Sequence, residues 1–211
     1  MIRKFFQLLP VVGALLLLLS SCSATVSGPG SYGGNTGSTS GGSTVTSPST
    51  PSGATPDWGI QTKTSGCHVN GPLQDTACTP GDIIKTATKA DICVPGYAGK
   101  TRNVPQSVKN LAYSSYGILS HKTGAYEVDH LVSLQLGGSN DISNLWPEIA
   151  TPIPGFHEKD KVENYLHAQL CKGTMTLKQV QVAIATNWLA VYNSMPSSTK
   201  SSGTDSGDGS A

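Results

Sequence analysis

The sequence predicts a small α+β domain stapled by disulfides. Three observations lead there. Helical patterns flank one run rich in alternating apolar residues, Tyr126 to Gly138, which reads as a hairpin. Four cysteines remain once a leader-like segment is set aside, an even number that suits two bridges. Low-complexity stretches bracket about 139 residues, 57–195, enough for one hydrophobic core.

The ends of the chain set those limits. Only 13% of the 211 residues are charged, 14 Lys+Arg against 13 Asp+Glu, where a soluble domain carries about 25%. Residues 1–21 open with Arg3 and Lys4, continue through an apolar run from Phe5 to Leu19 and end in Ser20-Ser21 before Cys22. A basic start, a short apolar run and small residues mark an export signal. The run is shorter than the roughly 20 residues of a bilayer span. Leu19-Ser20-Ser21-Cys22 resembles the lipobox of bacterial lipoproteins. That resemblance implies cleavage before Cys22, its acylation, and a membrane-anchored chain at the cell surface or in the periplasm. From Ser23 to Pro56 no residue is charged, and 28 of the 34 are Ser, Gly, Thr or Pro. Such a chain buries too little apolar surface to order and behaves as a coil roughly 30 Å across. Residues 22–56 are therefore expected to be a flexible leash, and 196–211, of similar flavour, a disordered tail.

Within 57–195 the 11 Lys+Arg balance 11 Asp+Glu, which excludes a strongly basic, histone-like nucleic-acid binder. A single apolar run excludes a multi-span membrane protein. Asp57 to Thr101, rich in Gly, Pro, Thr and Asp, reads as loops and short strands. Pro105 to Tyr116 reads as a helix with Pro in its first turn and Gly117 as its stop. After the expected hairpin, His157 to Cys171 carries Val162, Leu166 and Leu170 at helical spacing, with Gly173 just beyond. Thr176-Leu-Lys-Gln179 is a capping box opening a last helix, whose apolar face is Leu177, Val180, Ile184, Trp188 and Val191.

Cys67, Cys78, Cys93 and Cys171 allow three pairings. Cys67–Cys78 with Cys93–Cys171 is favoured, a local clip and a staple from the domain's start to its end. By loop entropy they would stabilise by about 3 and about 4.5 kcal/mol. Zinc ligation is the rival, but no Cys-x-x-Cys pair exists.

The chemistry lies in Tyr126-Glu-Val-Asp129-His130, the Gly137-Gly138-Ser-Asn140 turn, Asn144-Leu-Trp-Pro-Glu148 and His157-Glu-Lys-Asp-Lys161. A strand ending in Asp-His, an Asn after a Gly-rich turn and a His at a helix start resembles the HNH endonucleases, in their compact secreted or lipoprotein branch. Cys78-Thr-Pro-Gly and Ile92-Cys93-Val-Pro-Gly-Tyr97 extend the likeness to most of the folded part. The resemblance implies a ββα-metal finger with flanking helices and a metal-dependent endonuclease acting on DNA with low sequence specificity. It makes His130 the general base, which suits imidazole because it titrates near neutrality. Asn144 would brace His130 or its loop. Asp129 and His157 would hold one divalent metal ion, Mg²⁺ first and Mn²⁺ or Zn²⁺ as alternatives. Implied partners are nucleic acid, DNA or RNA, and the membrane through the lipid, with the chain a monomer.

Plainer readings stand beside these. Strand alternation sends Asp129 and His130 to opposite faces, so they share a site only where the strand twists or breaks. Asn140 competes with Asn144 and is otherwise a turn residue. Glu127 and Glu148 are expected to pair with Lys or Arg. His121 and His167 are read as solvated, Lys159, Lys161 and Arg102 as phosphate contacts or, at least as readily, solvated charges, and Trp146 and Trp188 as core. A net-neutral domain lacks the broad basic surface that drives duplex affinity. The rival functions are a non-catalytic surface binding lipoprotein on the same scaffold and, more distantly, a cell-wall hydrolase with paired carboxylates.

Overall fold

A computed structural model describes residues 54–202 of the chain. The leader, Cys22, the linker up to residue 53 and residues 203–211 lie outside the described residues, and so do the expectations for them.

From residue 54 to Thr88 the chain runs in turns, and the short strands expected there reduce to isolated bridges, Asn70 with Leu73 and Ile83 with Gly138. Side chains take the backbone groups that a sheet would have paired: the Asp75 carboxylate accepts from the His68 and Ala77 N–H groups, at 3.0 and 3.1 Å. Two short helices follow, α1 (Lys89–Ile92), opened by a Thr88–Asp91 capping box, and α2 (Tyr97–Thr101), which buries no residue. Next, α3 (Gln106–Ser115) starts after Pro105 and stops before Gly117, as the sequence predicts.

The sheet is a two-stranded antiparallel ribbon of β1 (Tyr126–His130) and β2 (Leu145–Ile149), with Asp129 opposite Trp146 and His130 opposite Leu145. This corrects the expected hairpin, whose second arm is not a strand. Leu131, Val132, Leu134 and Leu136 are buried as predicted, but in a loop carrying two 3₁₀ turns, Leu134–Leu136 and Ile142–Asn144. Apolar content misled because burial here needs no sheet partner: the Asn144 side chain accepts from the Val132 N–H (2.9 Å) and donates to the Val132 carbonyl (3.0 Å). The true second strand is masked by Pro147, tolerated because each strand of a two-stranded ribbon is an edge.

Two long helices close the fold, α4 (Phe156–Lys172) and α5 (Leu177–Ser194), with a further helical turn, α6 (Ser197–Ser202), inside the segment expected to be a disordered tail from residue 196. Gly173 ends α4 in the left-handed conformation, and Thr176 caps α5, both where expected. Asn187 breaks the helical geometry inside α5 and restarts it, its Oδ1 accepting from the Ala190 N–H at 2.9 Å. The Ala185 carbonyl just before the break accepts instead from Gln74 Nε2 at 3.1 Å.

The main core joins α4 and α5 to the β1–β2 loop and buries Trp146 and Trp188. A smaller cluster of Ala112, Val128 and Leu145 seats α3 on the ribbon's other face. The disulfides are Cys67–Cys78 and Cys93–Cys171, the favoured pairing. They indicate an oxidising, extracytoplasmic setting. Among the described residues no helix is long and apolar enough to cross a membrane.

Candidate functional site

Asp129 and His130 end β1, a regular strand up to His130, so their side chains leave on opposite faces and meet different partners. Asp129 faces α4. Its Oδ2 accepts from Lys159 Nζ at 2.6 Å, and its Oδ1 from the His130 N–H at 2.7 Å. The same ammonium donates to the His130 carbonyl at 2.8 Å and to Glu163 Oε1, one helical turn further along α4. Lys159 is thus a three-way junction joining the end of β1 to α4. The expectation that it is a solvated charge is corrected: it has no exposed surface. A lysine so placed survives because each of its three protons has an acceptor.

Glu148 of β2 lies on the same face and is also fully buried. Burial pushes its carboxyl well above the ordinary value, and the neighbouring Asp129 and Glu163 charges push it further, against the pull of Lys159. Burial alone would lower Lys159, but the Asp129, Glu163 and Glu148 carboxylates outweigh it and hold the ammonium well above its usual range. Three carboxyl groups and one ammonium therefore share a dry pocket, with Glu148 biased towards its neutral form.

His130 turns the other way and is only 1% exposed. Its Nε2 lies 3.2 Å from Asn140 Oδ1. Asn140 Nδ2 donates to the Thr101 carbonyl (2.9 Å), and the Asn103 N–H reaches the same Oδ1 (3.2 Å). That orientation makes Oδ1 the acceptor, so the neutral imidazole carries its proton on Nε2 and its lone pair on Nδ1. The Asn expected to brace the histidine proves to be two residues with divided labour. Asn140 touches the ring. Asn144, fully buried, ties the loop, donating to the Val132 and Ser139 carbonyls and accepting from the Val132 and Asp82 N–H groups. Its backbone carbonyl takes the Leu131 N–H at 2.8 Å.

His157 stands apart. It is exposed in the first turn of α4, its ring 4.2 Å from that of Phe156. Two residues along a helix is a rotation of about 200°, so His157 and the Asp129 partner Lys159 leave α4 on opposite sides. The structure does not gather Asp129 and His157 around one point. Among the described residues, the groups of three His, Cys, Asp or Glu donor atoms lying within 4.8 Å of one another are Cys93–His167–Cys171 and Cys67–Asp75–Cys78. In both, the sulfurs are spent in a disulfide, whereas a metal is bound by thiolate.

The sequence missed three parts of this arrangement. Lys159 and Glu163 carry the i, i+4 spacing of an ion pair, but nothing marked that pair as buried. Glu148 was expected to pair with a cation, which it does only through a cluster. His167, read as solvated, is half-buried against Cys171 Sγ at 3.5 Å. Of the plainer readings, exposed His121 holds, its ring 4.4 Å from that of Tyr113. A cleft of about 370 Å³ opens elsewhere, between Tyr116, Tyr126, Trp146 and Ile153, and is not lined by His130. No protein-family model, curated protein or solved structure matches the chain, so the meaning of the site rests on its own geometry.

Proposed function

We propose that the chain is an HNH-type endonuclease that hydrolyses phosphodiester bonds, DNA before RNA, as an exported and lipid-anchored protein. The observation that carries the reading is the way His130 is held. One ring nitrogen is fixed by Asn140, the backbone on either side is tied by Asp129, Lys159 and Asn144, and the lone pair stays on Nδ1. A general base needs such a fixed tautomer to take a proton from water. The order strand, Asn-bearing loop, strand, helix supports the same reading.

The divalent ion belongs to this proposal, Mg²⁺ before Mn²⁺ or Zn²⁺, and no step is derived through it. Both Asp129 oxygens are engaged and His157 leaves α4 on the far side, so these two residues do not form a cage for a cation in this structure. Burial of His130 favours a second reading, a non-catalytic binding protein on the same scaffold.

Cleavage of plasmid DNA and of a single-stranded RNA by the purified chain with its disulfides intact, in Mg²⁺, Mn²⁺, Zn²⁺ or EDTA, separates the two. The nuclease reading expects metal-dependent cutting that His130→Ala reduces by about a hundredfold or more. A folded, metal-supplied protein that cuts neither DNA nor RNA leaves the binding protein.

A further inference from the structure

The two disulfides occupy different surroundings. Cys67 and Cys78 are each 2% exposed, and the side chain grouped with them is Asp75, a carboxylate that Lys63 holds at 3.2 Å and that offers a thiolate no proton. Cys93 and Cys171 are half-buried, and His167 Nε2 lies 3.5 Å from Cys171 Sγ. That nitrogen is also 3.4 Å from the Ile92 carbonyl, so it carries its proton towards the carbonyl and the sulfur. Cys171 lies in the last turn of α4, where the helix dipole disfavours an anion, and His167 supplies the offsetting donor.

The chain leaving Cys93 leads to His130. Val94, Pro95 and Gly96 are exposed, and α2 buries no residue fully, its half-buried Tyr97 resting against the main core. Thr101 and Asn103 then hold Asn140, which holds the His130 ring. Residues 94–103 therefore form a strap fixed at one end by a disulfide, further along by Tyr97 packed against the main core, and at the other end by hydrogen bonds to Asn140, which bonds the His130 ring. Ile92, 1% exposed in the main core, seats α1 on the core beside the bridge.

We propose that Cys93–Cys171 is a thiol-exchange site, and that opening it with a low-molecular-weight thiol loosens the 94–103 strap and exposes His130. The thiolate attacks Cys93 Sγ and forms a mixed disulfide there. The Cys93–Cys171 bond breaks, and its electron pair goes to Cys171 Sγ, stabilised by the His167 N–H. A second thiolate then attacks the added sulfur, releasing Cys93 as thiolate and the small thiol as its own disulfide. That exposure of His130 regulates catalysis rests on the nuclease reading; the exchange and the strap do not.

The test is to treat the full chain with graded reduced glutathione, quench with acid, alkylate and map each cysteine by mass spectrometry. Cys93–Cys171 is expected to open about tenfold or more ahead of Cys67–Cys78, with glutathione on Cys93. His167→Gln should slow that opening about three- to tenfold and leave Cys67–Cys78 unchanged. In the opened protein, amide hydrogen exchange over 94–103 and diethyl pyrocarbonate labelling of His130 should both rise. Simultaneous opening of the two bridges, glutathione on Cys171 instead, or unchanged exchange and labelling would overturn the proposal. Plasmid cleavage adds the regulatory arm. Faster cutting in the opened form supports regulation, and equal cutting in both forms overturns it while leaving the nuclease. Cutting in neither form, with the strap loosened as expected, removes the nuclease reading and its regulation but keeps the exchange site.

Discussion

On one face of the β1–β2 ribbon, Val128 and Leu145 pack against Ala112 of α3; on the other, Asp129 and Glu148 pack against Lys159 and Glu163 of α4. Every one of these side chains is buried. The apolar face is non-directional, and its energy follows the area and volume filled. The ionic face depends on a charge count: one ammonium stands among three carboxyl groups, so removing it leaves carboxylates without a counter-charge. A domain with no net charge still concentrates its charges, and it does so beside the candidate base.

The largest effect that would separate the two faces is expected from Lys159→Met. It strands Asp129 and Glu163 without a cation in a dry site and should cost about 4 kcal/mol in urea unfolding. Replacing the three hydrogen-bonded members together, Asp129→Leu with Lys159→Met and Glu163→Leu, should recover most of that loss, because an apolar substitute for a buried ionic triad is often near neutral and the Glu148 left behind is biased towards its neutral form. A triple variant no more stable than Lys159→Met would break the account of the ionic face. Asn144→Ala removes four hydrogen bonds from the loop between the strands and should cost about 3 kcal/mol by the same measurement. On the apolar face, Leu145→Ala should cost about 2.5 kcal/mol, as truncation in a packed cluster does.

The smallest effect concerns pH. The Glu148 carboxyl is raised, so the stability it contributes is whole below its ordinary value of 4.5 and is lost as pH climbs towards the folded value. Lys159, raised above 10.5, acts in the same direction only in strong alkali. Glu148→Gln keeps a neutral polar group of the same size. Its urea midpoint should change less than the wild type's from pH 4.5 upward. Parallel curves for the two proteins would mean that Glu148 ionises in the fold as it does in the unfolded chain.

What could be read from the sequence follows from how local each signal is. Pro105, Gly117, Gly173 and the Thr176 capping box act within a turn of themselves, and α3, α4 and α5 stand where those residues put them. The hairpin failed because Leu131 to Leu136 are buried by contacts from α4 and α5, far along the chain, which no period-two pattern encodes. The candidate site was half legible. The Asp129-His130 pair and the two asparagines could be singled out, but the division of their roles depended on Thr101 and Asn103 arriving from another segment. Lys159 was hidden for the same reason, since lysine is ordinarily solvated and only a three-dimensional acceptor set makes it otherwise.

The Gly137-Gly138 turn bears on how this chain tolerates variation. A methyl group on Gly138 would lie 1.7 Å from the Val132 carbonyl oxygen, on backbone that Asn144 already pins, so nothing there can give way. At Gly117 the conformation is left-handed, φ 72°, but the space around it is open. In a library of all single substitutions, position 117 should admit Asn and Asp at modest loss, whereas position 138 should admit nothing. The loop carrying Asn140 and Asn144 is therefore closed to gradual change, and descendants of this sequence would remodel the site by altering the strap or α4 rather than the turn between the strands.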